Sequence, residues 1–422
     1  MWNIKKKKHK SRSKKEDANL YFIILLAAVF VLVVVKRDNL LYSTGVIKKM
    51  QKPIKLLKGA RDRLRSNTFF RSTPSEVANL PKPDFRPSCA KNEFRIINMT
   101  SCHEILYCDA IFHNVEKGSY FNKGKTKKMQ YGVWEGRRVA VAHSITSKVI
   151  NTKADFNEHV TNLFRLQSPF VTQLIGFCNV SRTAFDYARS FIVTEYHKRG
   201  SLDTYLNSNE HITSDATERL RLAVSYLKTL NFLHNQTEGS LVVCDSNDLK
   251  GALQNYLVTS DRRVILNDMD DLPLVNRYGK LIQCKHQDVL SDQPSIVGEN
   301  FLAPEQKTAL LASFPKSAIA RLERNSGVTS TGAEIDAQGR PPPSLDAKID
   351  VYKIPDIVQA ILLINKEKLS KLHSDSYRKA SLNIWRKLMK INEECKDPSA
   401  STRPQTSKVL QAYENLLKSL SS

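Results

Sequence analysis

Three oxygen-bearing side chains flank short apolar stretches of this sequence. Asp245 follows Leu241–Val243, Asn255 precedes Tyr256–Val258, and Asp268 follows Val264–Leu266. A carboxylate in a polar loop after a strand can take a proton from an incoming hydroxyl. A carboxylate and a carboxamide oxygen are hard donors of the kind Mg²⁺ prefers. Other polar groups stand in a fixed order around them. Thr194-Glu195-Tyr196-His197-Lys198-Arg199-Gly200-Ser201-Leu202 comes first, then Phe232-Leu233-His234 and Val243-Cys244-Asp245. Ala303-Pro304-Glu305, Asp350-Val351-Tyr352 and Ser401-Thr402-Arg403-Pro404 follow.

The elements that must hold these groups are legible in outline. Tyr131–Ala142 reads as two short strands around a Glu135-Gly136 turn. Residues 153–167 place Phe156, Val160, Leu163 and Leu166 at helical spacing. Val171–Phe177 and Phe191–Glu195 read as strands, and Thr217–His234 as a long helix with Leu220, Ala223, Val224, Leu227, Leu230 and Leu233 on one face. Short strands follow at Leu241–Val243 and Val264–Leu266, and helices resume after about residue 346. A β-rich part followed by a helical one predicts an α+β, bilobal plan. Residues 308–345, with Gly327, Gly332, Gly339 and Pro341-Pro342-Pro343, read as a surface insertion.

Composition narrows the class. The chain has 422 residues, 41% hydrophobic and 25% charged, which excludes a disordered chain, a collagen and a small disulfide scaffold. Its net charge of +23 would suggest nucleic acid, but residues 1–80 hold 19 Lys/Arg against 5 Asp/Glu, or +14. That excess brackets an uncharged run, Leu20–Val35. As a helix the run spans about 24–27 Å, enough for a thin bilayer. Residues 1–19 then form a basic cytosolic tail, 20–35 a transmembrane signal anchor, 36–88 a proline-bearing luminal stem, and 89–418 the folded body. A cleaved signal peptide is the rival, although no small-x-small site is obvious after Val35.

Cys89, Cys102 and Cys108 cluster ahead of the body, with Cys178, Cys244, Cys284 and Cys395 scattered through it. Paired C-x-x-C spacing, as zinc would need, is absent. A structural disulfide or two in an oxidising lumen is the better reading, with at least one of seven thiols left over. Asn98-Met-Thr100, Asn179-Val-Ser181 and Asn235-Gln-Thr237 are glycosylation sequons.

Taken in order, the polar segments resemble the protein-kinase fold over about residues 110–418. The departures are specific. The strand that should read Val-Ala-x-Lys reads Val139-Ala140-Val141-Ala142, and the glycine loop is reduced to Asn122-Lys123-Gly124-Lys125-Thr126-Lys127. Asp245 and Asn255 lie ten residues apart instead of the usual five, and Cys244 replaces the usual arginine before the base, so activation-loop phosphorylation would lack its anchor. Cys244–Leu249, Asn267–Asn276, Lys348–Ile357 and the spaced cysteines from Cys89 to Cys108 resemble the protein O-mannose kinase family. The similarity runs from about Cys89 to the C-terminus.

That resemblance implies a luminal type II enzyme of the endoplasmic reticulum membrane. It would phosphorylate the 6-hydroxyl of mannose in a GalNAc-GlcNAc-Man trisaccharide O-linked to a dystroglycan-type glycoprotein, and not act on nucleic acid. It implies ATP and Mg²⁺, with Mn²⁺ as a substitute. It makes Asp245 the base and Asn255 and Asp268 the metal ligands. Lys127, in register from Trp134, would reach the phosphates, with Gly124, Glu195 and His197 also at the nucleotide. Glu305 and Arg403 form an internal ion pair. His159 lies where a glutamate partner for the lysine is usual, so Lys127 has no assigned partner. Asp270 and Asp271 could hold a second metal or cap a turn, and the turn is the preferred reading. His234 reads as a packed core histidine, and Cys244 as a buried structural one. A silent luminal kinase-like protein that binds a glycan or scaffolds other enzymes is the alternative, and a kinase acting on protein hydroxyls a third.

Overall fold

Glu135 and Gly136 both take positive φ, 47° and 73°. This is the mirror-image turn whose twist suits a two-residue hairpin. In the computed structural model the described residues are 89–421, apart from 91, 97–98, 124–126, 145–151, 180–189, 245–247, 277–283, 285–300, 314–344 and 364–374. The expected tail, anchor, stem and most of the expected insertion lie outside them. Among the described residues no helix is long and apolar enough to cross a membrane.

The described residues open with two short paired strands, β1 (Glu93–Phe94) and β2 (His103–Glu104), then helix α1 (Cys108–Asn114). Next come β3 (Val115–Lys123), β4 (Lys127–Trp134) and β5 (Arg137–Ser144), then helix α2 (Thr152–Arg165). β6 (Leu174–Cys178) and β7 (Phe191–Glu195) complete a five-stranded antiparallel sheet of order β3-β4-β5-β7-β6. The strand expected at 171–177 is shorter; Val171 makes only a bridge to Leu266. Gly176 is required there, since a Cβ would come within 2.6 Å of the Leu106 carbonyl oxygen.

The second part is helical. Short helices α3 (Leu202–Leu206) and α4 (Asn209–Ile212) lead into the long α5 (Ala216–His234), which Asp215 caps by accepting from the Glu218 amide at 2.7 Å. Strand β8 (Gly239–Leu241), helix α6 (Leu249–Gln254), and strands β9 (Tyr256–Val258), β10 (Val264–Leu266) and β11 (Leu274–Asn276) follow. Helices α7 (Pro304–Ser313), α8 (Lys348–Leu362), α9 (Asp375–Lys387), α10 (Met389–Cys395) and α11 (Thr406–Ser421) close the chain. Of the expected insertion 308–345, the first residues belong to helix α7 and Leu345 is fully buried; the rest lies outside the described residues.

The core sits around α5. Leu220, Leu227, Leu230 and Leu233 are fully buried there, each worth about 1.5–3 kcal/mol against exposure. The helix packs against α11, α8 and β10, which fixes the loops at its C-terminal end.

Three disulfides, more than the one or two expected, join Cys89–Cys102, Cys108–Cys178 and Cys244–Cys284. Cys395 is a free, buried thiol, and burial pushes its pKa up to about 12. A thiol reagent at about pH 8 is therefore expected to find no reactive cysteine in the folded chain and one after unfolding without reductant. A second titratable thiol would mean that a bridge is missing.

Candidate active site

Lys127 begins β4, and strand alternation sets its neighbours. Gln130 and Trp134, on the opposite face, are buried at 9% and 1% exposure. The Lys127 side chain instead reaches across to the segment after β10. Its Nζ lies 2.6 Å from Asp268 Oδ1 and 3.0 Å from Asp270 Oδ2. It also lies 3.1 Å from Nδ1 of His159, which α2 supplies.

The His159 tautomer follows from its donors. Nδ1 accepts from Lys127 Nζ and, at 3.3 Å, from the Met269 amide. That nitrogen must carry a lone pair, so the ring is neutral with its proton on Nε2. Burial, then the charge of Lys127, pushes the His159 pKa down, which agrees. Burial alone would lower the Lys127 pKa, but Asp268 and Asp270 outweigh it and hold the ammonium above the ordinary lysine value. Burial alone would raise Asp268; the Lys127 ammonium overcomes it and holds that carboxyl far below the usual range.

The cluster therefore carries +1 from Lys127 and −1 from each aspartate, a net −1. His159, Asp268 and Asp270 can bring one ligand atom each within 4.8 Å of one another. Asp268 is 28% exposed and Asp270 4%, so Asp268 is the carboxylate open to an incoming cation. Residual negative charge on hard oxygens, with one of them accessible, fits a divalent cation.

Asn255 stands beside this cluster. Its carbonyl accepts from the Asn267 amide at 2.9 Å and the Asp268 amide at 3.2 Å. Asn255 caps α6, whose other end Asp248 caps by accepting from the Gly251 amide at 2.8 Å. The ten-residue spacing from 245 to 255 now has a physical cause: helix α6 fills the added length.

Asp245 and Gly124 lie outside the described residues, but the chain next to 245–247 is firmly tied. The Val243 amide donates to Asp350 Oδ2 at 2.9 Å, and Lys353 Nζ donates to the Val243 carbonyl at 3.4 Å. His234, a packed histidine as expected, places Nε2 3.1 Å from the same Asp350 oxygen and Nδ1 2.6 Å from Thr406 Oγ1. The Cys244 amide donates to the Asp271 carbonyl at 3.3 Å, and the Cys244 side chain is bridged to Cys284.

Glu195 and His197 are not brought to Lys127. Glu195 pairs in register with Val139, and Lys127 with Ser144, so they stand about 16 Å apart along the strands. Their side chains serve the fold: Glu195 Oε1 accepts from the Gln173 amide at 3.1 Å and lies 3.3 Å from His197 Nε2. At this end three aromatic rings meet. Phe121 stacks on Tyr131 with centroids 4.3 Å apart, and Tyr196 meets Tyr131 edge-on at 5.4 Å.

The sequence assigned Lys127 no partner, and two are found. Asp270, read as a turn cap or a second metal ligand, is a buried partner of Lys127. The alternation Asp268-Met269-Asp270 was the available signal, because an extended segment points every second side chain to one side. His159 stands where a glutamate partner for the lysine is usual, and the packing of α2 brings it to Lys127.

Residues 111–270 match the family described as protein tyrosine and serine/threonine kinase. The chain is similar to a Gallus gallus protein O-mannose kinase, 31% identical over 344 residues that cover 80% of this chain and 82% of that one. It is also similar to the Homo sapiens protein of that name, 30% identical over 79% of this chain and 81% of that one.

Proposed function

This chain belongs to the protein O-mannose kinase family and is a phosphotransferase, and from that premise we propose that it phosphorylates the 6-hydroxyl of an O-linked mannose in a GalNAc-GlcNAc-Man trisaccharide. The acceptor would be a dystroglycan-type glycoprotein, the donor ATP, and the metal Mg²⁺ or Mn²⁺. The observation that carries the reading is the lysine. Ala142 occupies the usual position on β5, and its register partner is Met129. Lys127 lies two residues away on the neighbouring strand and delivers its ammonium to Asp268. A silent fold has no need of that replacement.

The roles follow from chemistry. The Asp245 carboxylate takes the proton of the sugar hydroxyl. The sugar oxygen bonds to the γ-phosphorus, the bond to the β–γ bridging oxygen breaks, and ADP leaves. Asp268 and Asn255 would hold the cation, which supplies charge neutralisation when bound. Lys127 binds and orients the phosphates, and its exchange between Asp268 and a phosphate costs little because Asp270 and His159 keep it in place. The main chain of 195–197 and the Phe121–Tyr131–Tyr196 rings bound the far end of the cleft and suit a purine.

We also propose that residues 20–35 anchor the chain in the endoplasmic reticulum membrane with the body in the lumen, residues 36–88 forming the stem. Three disulfides support an oxidising compartment.

The test offers ATP and Mg²⁺ with the trisaccharide, free mannose or a serine-containing peptide. Phosphate is expected on the trisaccharide alone. Transfer to the peptide would favour a kinase of protein hydroxyls, and nucleotide-independent glycan binding without any transfer would favour a silent scaffold.

A further inference from the structure

We propose that Asn235 carries an N-linked glycan whose first sugar sits in a hollow built beside it. The proposal rests on the luminal placement argued above. Asn235-Gln236-Thr237 is the one sequon of the three whose residues all lie among the described ones. It forms the exposed turn between α5 and β8, and the side chains of Asn235 and Thr237 face solvent. The Asn235 amide nitrogen donates only to Asn231, to its carbonyl and its Oδ1, both at 2.8 Å. Nothing in the core depends on that amide. A nitrogen that caps its own helix end can be substituted without opening the fold.

The second observation is the space next to it. A hollow of about 340 Å³ is lined by Asn235, Asn231, Lys228, Phe170, Phe232 and Leu410. That is the low end of small-molecule sites, the size of one sugar ring. Phe232 lies three residues before Asn235, so the two share one face of the last helical turn. The Phe232 and Phe170 rings stand 5.3 Å apart at 32°. Both are half-buried, as is Leu410 on α11. They offer an apolar floor to the C–H face of a pyranose, and Lys228 and Asn231 offer polar groups to its hydroxyls and N-acetyl group. An occupant attached through Asn235 arrives at high effective concentration, so even a shallow hollow is filled.

The covalent step balances simply. The Asn235 amide nitrogen bonds to the anomeric carbon of a polyprenyl-diphosphate oligosaccharide. The carbon–oxygen bond to the diphosphate breaks, the lipid diphosphate leaves with the electron pair, and the amide gives up one proton. Thr237 supplies the hydroxyl that the sequon requires.

The full chain, expressed in a secretory cell line, tests both halves. Peptide mapping is expected to find hexosamine-bearing Asn235. Asn235→Gln and Thr237→Ala should each remove one glycan, whereas Thr237→Ser should keep it. Unmodified Asn235 in protein glycosylated at another sequon would overturn the site and leave the luminal reading standing. Absence of glycan from every sequon, with the cysteines reduced, would overturn both. For the hollow, protein trimmed to a single sugar is compared with protein stripped of all sugar. The trimmed form should melt about 2 °C higher; equal midpoints would overturn the seating of the sugar.

Discussion

Lys127→Met is expected to lower kcat about 10²–10³-fold, the loss that follows removal of one preorganised donor to a transferring group. It should also raise the KM for ATP, because the ammonium meets the ground-state phosphates as well as the transition state. Asp245→Asn should act differently. The base touches only the acceptor hydroxyl, so kcat falls while nucleotide affinity stays. Lys128 is a poor substitute for Lys127. Lys128 points to the other face, with Nζ 3.5 Å from the Tyr120 ring centre, so Lys128→Met should leave turnover near wild type. Lys127→Met also leaves Asp268 and Asp270 without their shared cation, so its folding must be checked by melting before kinetics are read. Steady-state kinetics in ATP and acceptor separate these variants. Wild-type KM and kcat in folded Lys127→Met would remove the lysine from the site.

Arg403→Ala should be the most damaging substitution for stability. The Arg403 side chain is completely buried, and all five N–H groups of its guanidinium have acceptors. Nη1 and Nη2 reach the two oxygens of Glu305 at 2.5 and 2.9 Å. The others reach the carbonyls of Asp397, Lys348 and Pro398. Removing the arginine strands a mostly buried carboxylate and three carbonyls, which costs about 3–5 kcal/mol. Against a total of about 5–15 kcal/mol that is a large share. The melting midpoint should fall by about 4–7 °C. Lysine cannot repair this, because a single ammonium cannot serve five acceptors in a plane. Joint replacement, Arg403→Met with Glu305→Leu, should recover much of the loss, since two charges then leave together. A loss below about 1 kcal/mol in urea titrations of Arg403→Ala would show that the pair is not a keystone.

The parts of this architecture that local chemistry dictates were legible in the sequence. The hairpin at Glu135-Gly136 announces itself by its turn residues, and α5 by its apolar spacing. The Arg403–Glu305 pair, 98 residues apart, was legible only through motif order. What stayed hidden depends on how separate elements meet. The sequence supplies His159 on one helix and Asp270 after a strand, and only packing puts both at one ammonium. Helix α6 escaped for a different reason: six residues with a glycine inside are too short to show a period. Cysteine pairing was also open, because spacing alone does not choose partners.

The disulfides have a consequence for how the chain is made. Taken in order, the first cysteine joins the second, the third joins the fourth, and the fifth joins the sixth. No bridge encloses or crosses another. A chain that emerges from its N-terminus and folds as it goes can seal each loop before the next cysteine appears. Its seventh, Cys395, emerges with every possible partner already taken. Correct oxidation then needs no reshuffling, and synthesis itself does the sorting.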